Sequence, residues 1–154
     1  MYILLNVIKI QIEAGKFLED VDCLTIENIK HWLSGKGYTL HYFSEEEAES
    51  LNVDKDEKGF KRKSELLKIV YIKDSLPYND KLETIIHECG HVLFDDALVL
   101  KTVKYRELVA NLFSEYVSNP NRILYAFYKL FKHKRIFTIL VIALILGVFL
   151  LSIY

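Results

Sequence analysis

The chain has 154 residues, a length that suits one compact domain, and its apolar fraction of 51% exceeds what a soluble domain of this size usually carries. The formal net charge of −1 is unevenly spread: the segment from Lys129 onward has 4 basic and no acidic residues, so 16 basic stand against 21 acidic before it, a net of −5. A mildly acidic N-terminal part argues against direct nucleic-acid binding, and two cysteines, Cys23 and Cys89, are too few for a disulfide framework.

The opening MYILLNVIKIQIE lacks a basic leader and is broken by Asn6, Lys9 and Gln11, so it does not read as a secretory signal. Ile8, Ile10 and Ile12 alternate like a strand, while Ile3, Leu4, Val7 and Ile8 fit a helix, which is the preferred reading. A helix is expected from about Thr25 to Ser34, with Ile26, Ile29, Trp32 and Leu33 on one face and glycine at its end. YTLHYF, residues 38 to 43, reads as a strand. The charged stretch SEEEAESLNVDKDEKGFKRKS reads as a solvated helical turn followed by a loop or hairpin. LLKIVYI, residues 66 to 72, is the strongest strand pattern in the chain. Asp80 and Glu83 form a potential capping box for a helix running to about Leu98, and a further helix is expected over Tyr105 to Val117, broken by SNPN.

The chain ends in IFTILVIALILGVFLLSIY, residues 136 to 154, with no charge. As a helix this run is about 28 Å long, close to the roughly 30 Å of a bilayer core. Lys129, Lys132, Lys134 and Arg135 precede it, so the positive-inside rule orients the N-terminal domain to the cytoplasm. The expected organisation is a domain over 1–120, a basic amphipathic linker over 121–135 and a single transmembrane helix over 136–154.

The chemistry concentrates in IIHECGHVLF. Leu82, Ile85, Ile86, Cys89 and Leu93 recur at helical spacing and form an apolar stripe, with His87 and His91 nearly opposite. Four residues apart on one helix, the two imidazoles project into the same space at a separation suited to one zinc ion. Glu88 lies beside such a metal and is placed to act as general base. Gly90 leaves room for close backbone approach. A zinc peptidase needs a third protein ligand, and the helix YRELVANLFSEYV offers Glu107, with Asn111 one turn on to orient a histidine. Asp95 and Asp96 are rivals for the third position, although a ligand one turn along the same helix would strain the geometry. Cys89 lies on the core stripe and reads as a small buried apolar residue. His31, His41 and His133 have no spacing partner.

The order KIVYI, turn, HECGHVLF and then ELVANLFSEYV closed by NP resembles the ImmA/IrrE family of zinc metallopeptidases, whose pattern is His-Glu-x-Gly-His followed by Glu-x-Glu-Ala-Asn-x-Phe-Ala and a proline. Val109 stands in place of the second Glu and Ser114 in place of the Ala, and neither position is a ligand. The resemblance implies a small zincin-like α+β domain, mostly helical with a short β-sheet. It further implies His87, His91 and Glu107 as zinc ligands, Glu88 as the catalytic acid/base and Asn111 as the asparagine of the second motif. With the C-terminal helix added, the expected function is a membrane-anchored zinc endopeptidase. It would cleave a cytoplasmic regulatory protein such as a helix-turn-helix repressor of a phage or mobile element. The alternatives are a membrane-tethered protein that binds a regulator without cleaving it, and a zinc protease that degrades membrane proteins.

Overall fold

The computed structural model describes residues 2–98 and 101–120. The chain divides into two units, Met1–Pro120 and Asn121–Tyr154, and every described element belongs to the first. That unit is mostly helical with one small mixed sheet. Its elements, in order, are α1 (Tyr2–Val21), α2 (Ile26–Gly35), β1 (Thr39–Phe43), α3 (Glu45–Ser50), β2 (Gly59–Lys63), β3 (Lys68–Lys73), α4 (Tyr78–Phe94), a 3₁₀ turn (Asp95–Leu98) and α5 (Val103–Ser118).

The ambiguous N-terminus is a helix because Ile10, Ala14, Phe17 and Val21, spaced four, three and four apart, are all buried and form one stripe. In α2 the Thr25 side chain accepts from the Asn28 N–H as N-cap, and Ile29, Trp32 and Leu33 are buried. Aromatic rings tie the helices into one core. Phe17 meets Trp32 edge-on at 4.9 Å and Phe113 at 5.5 Å, and Phe113 in turn meets Phe94 at 6.0 Å.

The sheet order is β1-β3-β2. β1 pairs parallel with β3, with Leu40 opposite Val70, and β2 pairs antiparallel, with Lys61 opposite Val70. Alternation on β3 sends Val70 and Ile72 into the core, and puts Tyr71 on the other face, stacked on Phe60 at 4.7 Å. His41, opposite Tyr71, packs against that ring at 5.4 Å and belongs to the same outer surface.

Several boundaries differ from expectation. β3 begins at Lys68 rather than at residue 66, because Ser64 closes a turn by bonding to Leu67 through backbone and side chain, leaving Leu66 exposed. α4 begins at Tyr78 after Pro77, with no side-chain cap, so Asp80 sits inside its first turn and caps nothing. The capping box forms at Ser44 and Glu47 of α3 instead.

The expectation of a membrane anchor is corrected. Among the described residues no helix is long and apolar enough to cross a membrane. The longest, α1 with 20 residues, carries Lys9, Glu13, Lys16, Glu19 and Asp20 along its length and turns its apolar stripe to the core. The run 136–154 on which the span was expected lies outside the described residues, as do the linker and His133. The transmembrane helix, the membrane as a partner and the single-pass location with a cytoplasmic domain are therefore dropped, and the functional reading narrows to the domain itself.

Candidate metal centre

Two close approaches position α4. At the start of β2, a Cβ on Gly59 would meet Thr84 Cγ2 at 2.6 Å, so α4 lies directly against the edge strand. On its other side, a Cβ on Gly90 would meet the Ala110 Cα at 2.9 Å, so α4 and α5 cross with their backbones almost in contact. This crossing matters because Glu107 and Asn111 flank Ala110 on α5, while His87 and His91 flank Gly90 on α4. The histidine side of α4 is consequently not a solvent face. His91 and Glu88 are buried, together with Ile85, Ile86, Cys89 and Phe94.

At the crossing the donor atoms converge. His87 Nε2 and His91 Nε2 are 3.2 Å apart. The Glu107 carboxylate presents one oxygen to each ring, Oε2 at 3.4 Å from His87 Nε2 and Oε1 at 3.2 Å from His91 Nε2. Among the described residues these three form a group able to hold a metal ion. The spacing fits zinc: ligands about 2.0–2.1 Å from a tetrahedral ion must stand roughly 3.3 Å from one another. Two imidazole nitrogens and a carboxylate are also the donor types that zinc takes.

The surroundings hold these donors in orientation. His91 Nδ1 lies 3.0 Å from Asp95 Oδ1, so with its proton on Nδ1 the ring keeps its Nε2 lone pair for the centre. Asp95 is itself anchored by Lys61, whose Nζ donates to Asp95 Oδ2 at 2.8 Å and to the His91 carbonyl at 2.9 Å. Burial raises the Asp95 pKa, but the hydrogen bonds from His91 and Lys61 outweigh it and bring it down to about 2. Asp95 thus supports His91 from behind and is not one of the converging three. Asp96 pairs with Lys63 away from the centre. Asn111 lies beside His87 at the cavity wall; burial and the neighbouring His91 push the His87 pKa down, opposed by Glu107 and the Asn111 side chain.

Glu88 is 4% exposed. Burial pushes its pKa up to about 7, with His91 acting in the opposite direction. It lines two cavities that meet at the centre. One, of about 550 Å³, is bordered by Asp54, Glu57, Gly59, Glu83, Thr84, His87 and Asn111. The other, of about 270 Å³, is bordered by Glu57, Gly59, Lys61, His87, His91, Arg106 and Glu107. Cys89 is fully buried, with its thiol pKa raised by desolvation, and takes no part in the centre.

Sequence reasoning did not find the Asp95–Lys61 support or the role of Gly59. Asp95, four residues beyond His91 on the same face, carries a readable signal. The reach of Lys61 across 34 residues does not.

A buried carboxyl beside converging histidines, on a helix packed under a small sheet, defines a metallopeptidase-like domain. Residues 46–136, more than half of the chain, match Peptidase_M78, the IrrE N-terminal-like domain, and the chain belongs to that family. No curated protein and no solved structure gives a significant match.

Proposed function

We propose that this protein is a zinc-dependent endopeptidase acting on a polypeptide substrate, with His87, His91 and Glu107 holding the metal and Glu88 as the general acid/base. The observation that carries this reading is the convergence of three donors at 3.2–3.4 Å beside a buried Glu88 in a common cavity. When bound, zinc supplies Lewis-acid polarisation of the scissile carbonyl and acidifies the attacking water. Glu88 takes the proton from that water and delivers it to the leaving amine nitrogen. Burial raises its proton affinity in the metal-free chain and a bound cation opposes that, so the loaded centre favours the carboxylate that accepts the proton. Asp95 and Asn111 hold the two rings in register, and Glu107 supplies the negative charge of the donor set. The two cavities, joined at His87 and Glu88, give an extended peptide a path across the centre.

The test compares the full-length wild type with Glu88→Gln and His87→Ala. About one zinc per chain is expected in the first two and little in the third. A proteome-derived peptide library, read by mass spectrometry, is expected to be cleaved by wild type alone. Full metal retention by His87→Ala would remove the site assignment, and cleavage by Glu88→Gln would remove the mechanism.

A further inference from the structure

We propose that Arg106 is the residue that stabilises the oxyanion during peptide hydrolysis, by donating guanidinium hydrogen bonds to the scissile carbonyl oxygen. This inference rests on the endopeptidase reading above. Arg106 lines the smaller cavity together with His87, Glu88, His91 and Glu107, so its side chain borders the same space as the reacting groups. Its Nε is buried and has no hydrogen-bond partner, and no ion pair involves its guanidinium among the described residues. The contrast with its neighbour is informative. Lys61, the other cation lining that cavity, is committed to Asp95 and to the His91 carbonyl. The buried Nε lies out of a substrate's reach, but Arg106 as a residue is only half-buried and no carboxylate among the described residues pairs with its terminal Nη groups. Those groups are free to donate to a substrate oxygen in the cavity, most strongly when that oxygen is charged.

The step balances as follows. The water oxygen forms a bond to the carbonyl carbon, the π pair of the carbonyl moves onto its oxygen, and the water proton passes to Glu88. Arg106 donates to the resulting oxyanion. The pair then returns to re-form the carbonyl, the C–N bond breaks with its electrons going to nitrogen, and Glu88 gives the proton to the amine. Because the charge on the oxygen exists only between these two events, Arg106 affects turnover far more than substrate binding.

The experiment uses the full-length, zinc-loaded chain with the best peptide from the library. Arg106→Ala is expected to lower kcat by roughly 10²–10³-fold with KM changed less than about threefold and zinc content unchanged. Arg106→Lys should retain part of the lost rate, and added guanidinium ion should restore part of it to Arg106→Ala, a rescue that a merely structural role would not allow. In parallel, an N-phosphoryl dipeptide, whose tetrahedral anion imitates the addition product, should bind Arg106→Ala at least tenfold more weakly than wild type. An unchanged kcat, a loss confined to KM, or loss of zinc without guanidinium rescue overturns the proposal. If wild type cleaves no peptide, the endopeptidase reading fails separately. The phosphoryl dipeptide then decides the role of Arg106 alone, and failure to bind wild type, or equal binding to both proteins, overturns it.

Discussion

Glu88 owes its chemistry to where its carboxyl is held. Burial favours the protonated form, so its pKa stands at about 7 in the folded chain against the ordinary 4.5. Between those two values the folded protein holds a proton that the unfolded chain has released, and stability falls as pH rises through that window. The full shift corresponds to about 3 kcal/mol. In chelator-treated full-length protein, wild type should therefore lose about 3 kcal/mol more than Glu88→Gln between pH 4.5 and pH 8, as read by denaturant unfolding. Equal losses in the two proteins would mean that the Glu88 carboxyl is not desolvated. A bound cation favours the carboxylate, so loading with zinc should flatten the difference. The residue-scale chemistry was partly legible in the sequence, because the i, i+4 spacing of His87 and His91 and the intervening Glu88 follow from helix geometry alone. The burial that shifts Glu88 was not, since it comes from α5 and the sheet and not from α4.

At the scale of elements, the crossing of α4 and α5 decides whether a donor set exists. Gly90 sits at the point of closest approach, and any side chain there meets the Ala110 backbone, which cannot rotate away. Gly90→Ala should force the helices apart, with a cost of roughly 1–3 kcal/mol in stability. The same movement carries Glu107 away from both imidazoles, and zinc affinity in a competitive chelator titration should drop about tenfold or more. Retention of wild-type affinity would show that Glu107 reaches the centre independently of the helix spacing. Boundaries were the least legible feature at this scale. Leu66 and Leu67 have the composition of a strand, yet the Ser64 turn excludes them from β3, and Asp80 has the composition of a cap, yet the helix already begins at Tyr78. In both places a hydrogen bond or backbone geometry a few residues away overrides the preference of the residue itself.

At the scale of the molecule, the metal and the fold should be linked. The three donors come from two helices that are apart in sequence, so an ion bound by all three favours the folded chain alone. At a free zinc concentration about a thousand times its Kd, folding should gain about 4 kcal/mol, seen as a rise in Tm that depends on zinc concentration. His87→Ala should abolish that dependence, and a rise of equal size in this variant would place the stabilising metal elsewhere. The membrane-spanning helix expected over 136–154 illustrates the opposite case, in which an apolar run supports an expectation that no described helix sustains.

By itself the sequence determined the local geometry: the helix carrying HECGH, the shared face of its two histidines, the inward stripe of Ile85, Ile86 and Cys89, and the mostly helical class with a short sheet. These follow from periodicity, which is a property of neighbouring residues. It left Glu107, Asp95 and Asp96 as competing third donors. Only the tertiary structure separated them, bringing the Glu107 carboxylate to both imidazoles, turning Asp95 to the back of His91 and pairing Asp96 with Lys63. The unpaired guanidinium of Arg106 was equally out of reach of the sequence. The approach of Glu107 to the two imidazoles depends on how closely α4 and α5 pack, a closeness that Gly90 permits against the Ala110 backbone and that no local pattern in either helix encodes.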